Sequence, residues 1–176
     1  MRAREERAFR EFIEVRMAGL RRSAYLLCGD IHAADDLVSV TLAKLLRHWR
    51  RVAGLEYPDS YLRRMLVTAY LDERRRPWRR EQVTDRLPEP PPVASNDVVD
   101  RVTLLGLLDR LPPRRRAVLV LRFFDDLSVE QTAEVLGCAA GTVKSLTHQG
   151  LSDLRALLGQ PANALSNLDL TTKEEP

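Results

Sequence analysis

Cysteine is scarce in this 176-residue chain: Cys28 and Cys138 are the only two. So wide a separation supports neither a disulfide framework nor a local metal-ligand set, and each reads as a small buried hydrophobe. Long apolar runs are missing as well. Met1 to Arg22 carries seven arginines and four glutamates, which excludes a secretory leader or a membrane span there. Cytoplasmic residence without membrane insertion is the resulting expectation. No Gly-rich phosphate loop occurs, and His32, His48 and His148 do not cluster with acids and a nucleophile. The expectation is a protein that is not an enzyme and needs no cofactor or metal. What remains, 44% hydrophobic and 30% charged residues, suits a folded chain of one domain or two small ones.

Lysine is also rare, with three against 25 arginines. Arginine's forked donors match phosphate geometry, although coding-genome composition gives the same bias. The net charge of +3 hides a gradient. Residues 1–80 hold 18 basic and 11 acidic groups, residues 81–100 one and five, residues 101–159 eight and six, and residues 160–176 one and three. A basic first half followed by an acidic strip suggests a polyanion-binding surface and then a segment with another job.

Apolar periodicity is helical throughout, so the fold class is all-α, two small bundles joined by a Pro-rich linker. Residues 5–29 form a first helix with Phe9, Phe12, Ile13, Leu20, Ala24 and Leu27 inward. After a turn over 30–35, Asp36 to Trp49 forms a second, with acids at its positive end and Arg47 and His48 near its negative end. Pro58 or Asp59 opens a third, which stops before Pro77. Four prolines fall within 81–100, the signature of a stiff linker. Helices around Val102–Leu108 and from Pro113 to Phe124 follow. The domains are therefore 1–80, the linker 81–100, 101–159, and a flexible tail 160–176. Trp49 reads as core, and Trp78 as packed on the first bundle.

The sharpest local signal is Ser128 to Leu136, a short helix with Ser128 placed to cap and Gln131 three residues on. Gly137 supplies a tight turn, and a second helix starts at Ala139-Ala140-Gly141. This is the sequence form of a helix-turn-helix, in which Val143 belongs to the core and fixes the angle between the helices. Thr142, Lys144, Ser145 and His148 can reach phosphates or base edges. An ordinary helical hairpin is the alternative.

Taken in order, Ala34-Asp35-Asp36-Leu37-Val38 leading to Trp49, Tyr57-Pro58 through Arg76, Leu111-Pro112-Pro113-Arg114, Leu127 to Gly137 and Gly141 to Ser145 resemble a bacterial extracytoplasmic-function sigma factor of the sigma-70 superfamily. The resemblance covers about residues 5–159, with regions two and four only. It implies promoter recognition and transcription initiation as a dissociable specificity subunit, with core RNA polymerase and promoter DNA as partners. An anti-sigma protein that masks the apolar surfaces is a further implied partner.

By the same resemblance, Asp35, Asp36, Leu42, Lys44, Leu46 and Arg47 dock on the polymerase clamp helices, and the loop Arg50–Tyr57 captures a flipped base. Arg63, Arg64, Thr68, Arg74, Arg75 and Arg76 hold the melted minus-ten element. Thr142, Lys144, Ser145 and His148 read the minus-thirty-five element, the apolar face of the second domain meets the polymerase flap, and the acidic strip threads toward the RNA exit path. The chain departs from the family where Tyr61 stands for a common Trp and Thr68 for Asn. Leu146 and Gln149 stand where arginine is frequent, which should weaken phosphate contact. Ser145-Leu146-Thr147 resembles an actinobacterial subgroup. A stand-alone helix-turn-helix regulator is the alternative function, but it leaves the N-terminal helices without a role.

Overall fold

The computed structural model describes residues 3–75 and 104–158. Residues 76–103 and 159–176 lie outside that description, and with them the linker, the tail, Arg76 and Trp78. All regular structure among the described residues is helical.

Helix α1 (Ala3–Cys28) carries Glu5 and Glu6 in its first turn, where the helix dipole favours negative charge. Its inward residues Ile13, Leu20, Ala24 and Leu27 are buried. Gly29, at φ +76°, ends it in the left-handed region that glycine enters without steric penalty, and its N–H reaches the Tyr25 carbonyl at 2.8 Å. Helix α2 (Ile31–Val52) starts earlier than the periodicity predicts. The Asp30 carboxylate accepts from the Ala33 N–H at 2.8 Å and caps the helix. Asp35 and Asp36 therefore sit more than a turn inside α2, and Arg50 and Arg51, not Arg47 and His48, occupy its last turn. The loop expected to capture a base shortens accordingly, because Arg50 to Val52 are helical.

Trp49 is core, as expected, and Phe9 packs edge-on against it at 5.3 Å between ring centres. Helix α3 (Pro58–Arg75) begins on a proline, whose fixed φ and missing N–H suit a first helical position. It is tied to α1 by Arg16, which donates from Nη2 to Asp59 at 2.9 Å and through Nε to the other carboxylate oxygen. This bidentate hydrogen bond holds the Asp59 carboxyl below its ordinary range.

The C-terminal half starts with α4, described over 104–109, then α5 (Pro113–Leu119). A π-helical turn, Val120–Phe124, continues α5, with the Asp125 N–H bonded to the Val120 carbonyl at 3.0 Å. Asp126 at φ 52° then reverses the chain. Helices α6 (Val129–Leu136) and α7 (Ala140–Leu157) complete the fold. Gly150 of α7 lies against Leu119, with only 3.1 Å between an ideal Cβ and the leucine methyl, so α7 packs closely on α5.

The two halves are not separate bodies. Buried Leu27, Leu66 and Tyr70 from the first join Leu108, Ala117, Leu121 and Leu127 from the second in one continuous apolar core. Cys28 and Cys138 are half-buried at the edges of this core and of the smaller C-terminal cluster.

Candidate nucleic-acid interface

The helix-turn-helix is built as its sequence specifies. Ser128 accepts from the Gln131 N–H at 3.1 Å, and the Gln131 side chain accepts from the Ser128 N–H at 2.8 Å. This reciprocal pair satisfies two donors that the helix start would otherwise leave open. Gly137 adopts φ +62°, and its N–H bonds to the Glu134 carbonyl at 3.3 Å. Val143 is fully buried with Val118 and Ala133, fixing α7 against α5 and α6. Because buried Val143, Leu151 and Leu154 define the inner face, the opposite face is free to work.

That outer face carries all four residues expected there. Thr142, Lys144, Ser145 and His148 are exposed, with Gly141 exposed at the entry to the helix. Gly141, Lys144, Ser145 and His148 recur at helical spacing and share one stripe. No side chain caps the start of α7, so its first N–H groups stay available to an anion. Gln149 donates to the Ser145 hydroxyl at 3.2 Å, and Thr147 turns its hydroxyl to the Val143 carbonyl at 2.8 Å. Thr147 thus spends its donor on its own helix.

On α3 the expected residues divide. Arg64, Thr68 and Arg75 are exposed along one side, with Asp72 among them. Arg63 is half-buried in a cleft of about 230 Å³ that it shares with Arg16, Arg22, Ser23, Asp59 and Asp125. Arg74 is also half-buried, with its guanidinium 5.6 Å from the Tyr70 ring centre and 3.9 Å from Asp109. The sequence presents these arginines as one group, whereas the helix turns them toward different neighbours.

The loop after α2 presents Tyr57 with 68% of its surface exposed. An exposed ring of this kind has a face open to stacking. On α2, Asp35, Asp36, Leu46 and Arg47 face outward, while Leu42 and Lys44 are half-buried. Val40, which the sequence reading missed, is exposed on the same helix. No group of three or more His, Cys, Asp or Glu able to hold a metal occurs among the described residues, and no helix there is long and apolar enough to cross a membrane.

Comparison with known proteins matches residues 13–80 to sigma-70 region 2 and residues 101–154 to sigma-70, region 4. The RNA polymerase sigma-E factor of Streptomyces coelicolor is 37% identical over 148 residues, spanning 84% of each chain. The ECF RNA polymerase sigma factor SigL of Mycobacterium tuberculosis is 32% identical over 162 residues, covering 89% of this chain and 92% of that one. Among solved structures, the sigma factor RpoE from Bartonella quintana, in complex with the anti-sigma factor NepR, shares the fold. Its TM-score is 0.68 at 24% identity, over 86% of this chain and 97% of that one. With helical regions two and four in order and full-length relatives at this identity, the chain belongs to the sigma-70 family, in its extracytoplasmic-function class.

Proposed function

We propose that this chain recognises promoters and initiates transcription with its two halves dividing the DNA between them. The unit 1–80 handles the minus-ten element and the unit 101–159 the minus-thirty-five element, with 81–100 joining them. The observation that carries this reading is the exposed polar stripe of α7, held at a fixed angle by fully buried Val143. A helix positioned in that way offers its N-terminal residues to a major groove. Lys144 meets a phosphate, and Thr142, Ser145 and His148 lie beside base edges. Gln149, already bonded to Ser145, contributes no charge, so upstream binding leans on few ionic contacts.

At the downstream element, Arg64, Thr68 and Arg75 hold the separated strand. Unstacking one base-pair step costs about 1.4 kcal/mol, and stacking a freed base on an aromatic ring returns about 1–3 kcal/mol. Tyr57 supplies such a ring. Arg63 and Arg74, half-buried on the same helix, add positive charge beside the strand. Outward Asp35, Asp36, Leu46 and Arg47, with Val40, form the docking face for core polymerase in the cytoplasm. The same exposed apolar residues suit a masking anti-sigma protein, a partner of the kind that the sigma factor RpoE has in its complex with NepR.

The test uses full-length protein and core polymerase. R63A/R64A should co-purify with core as the parent chain does, yet leave promoter thymines unreactive to permanganate. Wild-type reactivity in that variant would remove α3 from strand separation.

A further inference from the structure

The two cysteines are alike in exposure and unlike in surroundings. Cys138 is half-buried against the small apolar cluster of Val118, Ala133 and Val143. Cys28 is half-buried as well, but it ends α1 where two guanidiniums converge. Arg74 of α3 donates from Nη2 to the Cys28 carbonyl at 3.4 Å, with its guanidinium 5.6 Å from the Tyr70 ring centre. Arg116 of α5 reaches across the seam between the halves and donates from Nε to the Leu26 carbonyl at 2.7 Å. The Tyr70 hydroxyl marks the middle of this cluster. Burial raises it above its ordinary value, and it feels the charges of Arg116, Arg74, Cys28 and Asp109 together.

A second, separate observation points to the same spot. Arg116 is 1% exposed, and its Nη1 donates to Asp109 at 2.7 Å. Its buried Nη2 has no hydrogen-bond partner among the described residues. That nitrogen faces the segment carrying the thiol, since a Cβ on Gly29, the residue after Cys28, would stand 3.1 Å from it. A buried N–H group without an acceptor is costly, and an oxygen arriving beside it would relieve that cost.

Thiols react as thiolates, and neighbouring positive charge favours that form. Arg74 and Arg116 bring two positive charges to the end of α1 against the one negative charge of Asp109, whereas Cys138 packs on apolar side chains.

We infer that Cys28 is a site of oxidation by peroxide, and that the oxygen it acquires is held by the unsatisfied Nη2 of Arg116. The thiol first loses its proton to solvent. The sulfur then attacks one oxygen of hydrogen peroxide, forming a sulfur–oxygen bond as the oxygen–oxygen bond breaks. Hydroxide leaves and takes up a proton to become water. The sulfur has lost two electrons, the peroxide has gained them, and Cys28 is a sulfenic acid. Its oxygen adds a hydrogen bond between the end of α1 and α5, so oxidation stabilises the fold. This response belongs to the chain itself and does not depend on the proposed reading of promoter DNA.

The full-length reduced chain is treated with equimolar hydrogen peroxide and a dione probe specific for sulfenic acid, and labelled peptides are measured by mass spectrometry. Cys28 should acquire the label about tenfold faster than Cys138. In C138S, peroxide without the probe should raise the urea midpoint by about 0.5 M, and a thiol reductant should restore it. C28S/C138S should show no such rise. Equal labelling of the two cysteines, or no label on Cys28, would overturn the inference. So would a C138S midpoint that oxidation leaves unmoved or lowers, or a rise that persists in C28S/C138S.

Discussion

Two arginines secure this molecule, and they do so in opposite ways. Arg16 joins α1 to α3 inside the N-terminal half, partly open to solvent, with both carboxylate oxygens of Asp59 engaged and its guanidinium 3.9 Å from the Phe12 ring centre. Arg116 joins the two halves from a fully buried position, with one carbonyl, one shared carboxylate and one nitrogen unsatisfied. The first pair matches charge with charge, and Arg16 gives its remaining nitrogen to the Phe12 carbonyl of its own helix at 3.0 Å. The second meets a backbone carbonyl of α1 across the seam and holds only while both halves keep their relative position. A solvent-touched, balanced bridge therefore belongs to a unit that stays folded as one. A buried, under-satisfied one sits where two units meet.

The sharpest way to break that contrast is R116A. It removes the buried anchor and leaves the Leu26 carbonyl unpaired, so unfolding in urea should lose about 2–4 kcal/mol and cease to be a single transition. Two coincident transitions for the halves would instead show that Arg116 does not couple them. G29A is expected next, at about 1–2 kcal/mol, because alanine is strained at φ +76° and its methyl meets the Arg116 guanidinium.

The smallest effect concerns pH, and its sign separates the two seams. Burial raises the Asp125 carboxyl above its ordinary value, against the opposing Ser23 hydrogen bond. Its stabilising share is therefore full in acid, below about pH 4, and fades as pH climbs through the raised value. Asp59, lowered by the Arg16 hydrogen bond, behaves in reverse: its share is present above about pH 4 and fades as pH falls through the lowered value. Urea midpoints measured against pH for D125N and D59N, each subtracted from the parent, should slope in opposite directions. Parallel difference curves would mean that the seams share one electrostatic environment.

Much of this was written locally in the chain. Ser128, Gln131 and Gly137 each act within a few residues of themselves, and the helix-turn-helix can be read from them directly. The start of α2 was misplaced because Ile31 and His32 are exposed, so its first turn has no apolar periodicity to betray it, and Asp30 passes for a turn residue. The π-helical turn after Leu119 leaves no compositional trace. Arg116 was the least legible of all. It sits in the run Arg114-Arg115-Arg116, where nothing local sets it apart from its neighbours, and its partner is a carbonyl 90 residues earlier. Likewise, which of the α3 arginines face outward depends on what the C-terminal half presents to them.

Because an ideal Cβ at Gly150 would stand only 3.1 Å from the Leu119 methyl, any larger residue there would wedge α7 away from α5. The angle at which the outer residues of α7 are offered is thus set by the lack of a single carbon.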